Sequence, residues 1–120
     1  TKTSTWSSAS SSYVDITGLS AAITPSSSSS KVLVIVNISE SSSTGVRGFN
    51  LVRTDGYSPA SLGMGDAASN RTRAMIAGYT GNSDATHSII SHCGQYLDSP
   101  STTYEMTYKM QAKAQKNYTV

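Results

Sequence analysis

The sequence predicts an all-β domain, an antiparallel β-sandwich of jelly-roll type that needs a further partner surface to cover one strand. Three observations lead there. Apolar residues gather in short runs at spacings of roughly ten residues, with Ser and Gly collected between them, and no helical period appears. Tyr104 to Gln115 holds an unbroken period of two, with Tyr104, Met106, Tyr108, Met110, Ala112 and Ala114 on one side. Glu105, Thr107, Lys109, Gln111, Lys113 and Gln115 fall on the other, as a half-buried strand requires. On a helix these residues would spread around the whole circumference. Finally, Val32 to Val36 is apolar on both faces of a strand, so it needs cover on each side.

Taken in order, Thr1 to Ser12 is Ser/Thr-rich, and Trp6 anchors a candidate edge strand through Thr3, Thr5 and Ser7. Tyr13 to Ile16 reads as a short strand closed by Thr17-Gly18. Leu19 to Thr24 reads as another, closed by Pro25 and the serine run Ser26 to Ser30. Lys31 to Ser39 follows, and a lone two-layer domain offers no cover for its second face; Leu33 and Ile35 are therefore candidate subunit-interface residues. Val46 to Thr54 is a strand ending in the turn signal Asp55-Gly56. A short strand is expected near Leu62 to Met64, another over Ala74 to Thr80, and one over His87 to Leu97. Asp98-Ser99-Pro100 breaks the chain before the Tyr104 strand, which at about 3.3 Å per residue would run roughly 40 Å. Its expected buried set is Tyr104, Met106, Tyr108 and Met110, with Glu105, Lys109 and Lys113 solvated. Asn117 to Val120 begins a further strand.

The 120 residues suit a single domain over 1–120. Hydrophobic residues make up 37 % and charged residues 13 %, low values that the β layout reconciles with folding. A net charge of +2 with no Lys/Arg run argues against nucleic acid or an anionic membrane as partner. The longest apolar run, Val32 to Val36, is too short to span a bilayer as a helix. Cys93 is the only cysteine, so no internal disulfide can form, and oligomerisation is the expected source of extra stability.

Chemistry-bearing patterns are sparse. His87, His92 and Cys93 invite a metal reading, but neighbours on a strand point to opposite faces, and Cys93 reads better as a small buried hydrophobe. Ser, His and Asp occur without a Gly-x-Ser-x-Gly elbow, and Gly63-Met64-Gly65 lacks a phosphate-loop context. Asn37-Ile38-Ser39 matches a glycosylation pattern but falls in an expected buried strand. Tyr57 and Tyr79 sit beside turns near Asp55, Asn82 and Asp84. Loop tyrosines flanked by amides and carboxylates grip sugars by stacking on a pyranose, so these five are the candidate glycan-binding set; packing against the sheet rim is the alternative. No catalytic residue, cofactor or metal is expected.

Tyr13-Val14-Asp15-Ile16-Thr17-Gly18-Leu19-Ser20, Ile23-Thr24-Pro25-Ser26 and Ser30-Lys31-Val32-Leu33-Val34, in that order, resemble a domain of bacteriophage virion proteins of the marine and cyanobacterial phage type. The likeness continues through Leu51-Val52-Arg53, Gly65-Asp66-Ala67-Ala68, Ser69-Asn70-Arg71, Leu97-Asp98-Ser99-Pro100 and Thr107-Tyr108-Lys109. It implies a trimeric tail-fibre or other structural component of the virion. Expected partners are then further copies, other virion proteins and a host surface glycan. In such proteins the segment like Asn117-Tyr118-Thr119-Val120 runs on to one last apolar strand, so this chain is expected to be a portion or to have its sheet completed from elsewhere. The resulting expectation is a non-enzymatic appendage domain contributing to host attachment, or alternatively a purely structural head fibre, decoration or adaptor protein.

Overall fold

The structure, a computed structural model, describes residues 4–41, 45–69, 71–80 and 89–115. Among these the chain forms seven strands and no helix. They are β1 (Val14–Ile23), β2 (Val32–Ser41), β3 (Gly45–Thr54), β4 (Ala60–Leu62), β5 (Ile76–Thr80), β6 (Ile89–Asp98) and β7 (Met106–Gln115). All pairings are antiparallel. One sheet has the order β1-β7-β3-β4, with β5 also paired to β3; the other is the two-stranded ribbon β2-β6.

The period of two in β7 does what the side chains dictate. Met106, Tyr108, Met110, Ala112 and Ala114 are buried, and the odd positions between them are not. Met106, Tyr108, Met110 and Ala112 join Ile16, Phe49, Leu51 and Leu62 in a core that also receives Val36 from the ribbon. Burying a Leu, Phe or Met side chain fully is worth about 1.5–3 kcal/mol, so this layer dominates the stability. Leu51, at 1 % exposure, sits at its centre.

Several expectations need correction. The strand starts at Met106, and Tyr104 is 80 % exposed because the chain turns before it, with the Tyr104 amide donating to Thr102 Oγ1. Lys109 is half-buried and held to Asp15 at 2.7 Å, so it is not simply solvated. The two short strands expected on either side of Thr17-Gly18 are one strand, β1, whose register shifts between Asp15 and Ser20. Gly18, at φ 83°, supplies the left-handed backbone that this irregularity needs. The Trp6 segment belongs to neither sheet; Trp6 packs on the core as a half-buried anchor. The short fourth strand lies at Ala60–Leu62, slightly before the expected position. Residues 117–120 lie outside the described residues, as does His87.

β3 is buried on both faces from Phe49 to Val52. Its inner side meets the ribbon, and its outer side is covered at Gly48 by Tyr13, Thr72 and Ala74. A Cβ there would come within 2.8 Å of the Tyr13 hydroxyl. That hydroxyl donates to the Arg73 carbonyl, and Lys113 lies 5.0 Å from the ring centroid. On β6, a Cβ at Gly94 would fall 2.6 Å from Ile76 Cδ1, so the ribbon approaches β5 only because Gly94 has no side chain.

Candidate functional site

One polar pin joins the ribbon to the larger sheet, and a second polar pair lies within the ribbon. At one end Asp98, buried to 5 % exposure, accepts from Arg53 Nη1 at 2.9 and 2.8 Å and from the Tyr108 hydroxyl at 2.7 Å. Burial, and then the Asp98 hydrogen bond, push the Tyr108 phenol well above its ordinary range, so it stays a permanent donor. At the other end His92 Nε2 lies 3.1 Å from Glu40 Oε1, and the imidazole tilts against Phe49. The Arg53–Asp98–Tyr108 cluster therefore reads as a cross-sheet fastening, whereas the His92–Glu40 pair braces β6 against β2 within the ribbon. Among the described residues no group of three His, Cys, Asp or Glu could hold a metal ion.

The five candidate glycan-binding residues do not form one site. Thr54 pairs with Thr107 and Ile23 with Met106, which defines one end of the larger sheet; Asp55 and Tyr57 lie in the loop leaving β3 there. Tyr79 pairs with Val46, eight positions back along β3, or roughly 27 Å away at strand spacing. Asn82 and Asp84 lie outside the described residues. The separation arises because β5 pairs with the beginning of β3, a non-local fact that spacing along the chain does not carry.

Asp55 itself serves the turn. Its Oδ1 accepts the Tyr57 and Ser58 amides at 2.9 Å each, and the Gly56 amide donates to Thr54 Oγ1 at 2.9 Å. These backbone hydrogen bonds hold the Asp55 carboxyl below its ordinary value of 3.8. Gly56, at φ 96°, permits the turn. Tyr57, fixed at its base, projects its ring into solvent at 92 % exposure.

Leu33 and Ile35 face outward from the ribbon, away from the core. They are 56 % and 66 % exposed, beside Leu97 at 56 %. Register puts Leu33 opposite Leu97, Ile35 opposite Gln95, Asn37 opposite Cys93 and Ser39 opposite Ser91. Every position on this face, from Leu33 to Ser41 and from Ile89 to Leu97, is exposed, and none carries a charge. Two expectations are thereby corrected. Cys93 is exposed and Asn37 is on an open surface, because strand parity gives the inward places to His92 and Val36. The inner half of β2, Val32, Val34 and Val36, is covered as expected.

Among the described residues β2 pairs only with β6, and beside it lies a groove of about 1660 Å³ lined also by Ser4–Ala9, Ile16, Leu19 and Met110. That exceeds the 300–1,000 Å³ usual for a small-molecule site and suits an extended chain segment better. No family model matches this chain, and neither a curated protein nor a solved structure matches it.

Proposed function

We propose that this chain is a structural, non-enzymatic domain of a bacteriophage virion appendage of the tail-fibre type, a two-sheet β-sandwich of jelly-roll kind that acts as a trimer and contributes to host attachment. The uncharged outer face of the ribbon carries this reading. Leu33, Ile35 and Leu97 stand more than half in solvent in a single copy, forgoing a large part of the about 1.5–3 kcal/mol that full burial of each is worth. An open apolar face also invites uncontrolled association. Three copies around an axis bury such faces together, and closed cyclic symmetry ends the assembly there. Folding and association then stabilise each other in a chain whose one cysteine rules out an internal disulfide. Attachment follows from multivalency, since three weak sites held together grip a dense glycan coat far better than one.

A second reading, a purely structural head fibre, decoration or adaptor protein, is favoured by the groove along β2, which suits an extended segment of another virion protein. Sedimentation of the purified chain at micromolar concentration tests the trimer: the expected species is three chains, and a stable soluble monomer would overturn it. Adsorption to host cells separates attachment from the purely structural role.

A further inference from the structure

Two phenol rings stand almost fully in solvent at the same end of the larger sheet. Tyr57 is 92 % and Tyr104 80 % exposed. Because Thr54 of β3 pairs with Thr107 of β7, the loop that leaves β3 and the loop that enters β7 emerge side by side. Ile23, 43 % exposed at the end of neighbouring β1, extends the same rim.

Both loops are stiffened from within. Asp55 and Thr54 accept three amides of the Tyr57 loop. Thr102 Oγ1 accepts the Tyr104 amide at 3.1 Å. Each ring therefore stands on a fixed base and has few torsions to lose on binding, which is how rigid aromatic anchors gain affinity. Asp55 is occupied by its own turn, so it buttresses the site without being a ligand.

We propose that Tyr57 and Tyr104 form a carbohydrate-binding rim that takes neutral pyranose units of a bacterial surface polysaccharide. A phenol presents a flat apolar face with a polar tip, matching a sugar whose ring face is C–H and whose edge is hydroxyl. The surroundings match as well. Exposed Ser58, Thr103 and Ser26–Ser29 of the loop from β1 to β2, at the same end, offer hydroxyl partners. A protein-docking patch would surround its aromatic anchors with contiguous apolar area. An anionic sugar would call for a free guanidinium, whereas Arg53 is held by Asp98 with both carboxylate oxygens. This inference deepens the attachment reading and rests on it, while excluding Tyr79 from the site.

The test uses the full chain and its Tyr57→Ala, Tyr104→Ala and Tyr79→Ala variants on an array of purified bacterial surface polysaccharides, with the same samples sedimented. Tyr79, 59 % exposed at the opposite end, is the control. Removing either rim ring should weaken binding about tenfold, as loss of an aromatic anchor does, and Tyr79→Ala should stay within about twofold of the parent. Tyr57→Phe, which keeps the ring, should retain most of the binding. The inference is overturned by rim variants that bind like the parent, by a loss confined to Tyr79→Ala, or by binding to none of the polysaccharides at millimolar sugar. Sedimentation keeps the two proposals apart. A monomer that binds through Tyr57 and Tyr104 sinks only the trimer, and a trimer indifferent to both rings sinks only the rim.

Discussion

Asp98 is the buried acceptor of Arg53, 45 residues away, and of Tyr108. Composition and spacing carry no trace of the Arg53 pairing, since it depends on two sheets meeting. Replacing Asp98 by Ala leaves a guanidinium of 23 % side-chain exposure facing the core without its carboxylate. Denaturant unfolding should show a loss of about 3 kcal/mol. Tyr108→Phe removes one hydrogen bond and keeps the ion pair, so its cost should be about 1 kcal/mol. Asp55 adds a pH prediction of known sign. Its folded carboxyl is held down by backbone amides, so the turn's contribution is complete above the ordinary Asp value and fades as pH falls through the lower folded value. Amide-exchange protection at Tyr57 and Ser58, taken relative to the intrinsic rate at each pH, should hold through neutral and mildly acidic pH and be lost only below that ordinary value. Protection already lost at mildly acidic pH would contradict the carboxylate's role.

At the level of elements, β7 was the easiest to read and β1 the hardest. Strict alternation specifies a strand and its faces, because a one-residue slip would turn every Met and Tyr outward. The ends were less legible. Tyr104 continues the alternation in sequence, yet the chain turns at Thr102 and the strand starts at Met106. β1 was split in two because Gly18 reads as a turn, whereas a bulge uses the same left-handed backbone without ending the pairing with β7. Met110, 3 % exposed, and Lys109 test the faces directly. Met110→Asp would bury a carboxylate and should abolish cooperative unfolding. Lys109→Asp loses a partly exposed pair and sets a second carboxylate near Asp15, so its cost should be about 1 kcal/mol. A folded Met110→Asp would refute the assigned faces.

For the whole molecule, the run Val32 to Val36 already announced a strand in need of cover on both sides, and geometry now divides the demand. Val32, Val34 and Val36 meet the larger sheet, while Leu33 and Ile35 stand outward with Leu97 opposite Leu33. What the sequence could not give was the partner strand β6, or that its outward residues would be uncharged throughout. This division makes the association testable without harming the fold, because Leu33 and Ile35 contribute little to the core of one copy. The double variant Leu33→Lys, Ile35→Lys places two like charges per chain on the proposed shared face, and desolvating them there is far costlier than leaving them in water. Sedimentation should then give a monomer with an intact β circular-dichroism spectrum. Cys93, on the same face opposite Asn37, supplies an independent reporter. A thiol reagent should label it slowly in the parent and rapidly in the double variant. Equal labelling, with both proteins sedimenting alike as monomers, would mean that the apolar face is not shared between copies and that the ribbon's outer surface is covered by something other than this chain.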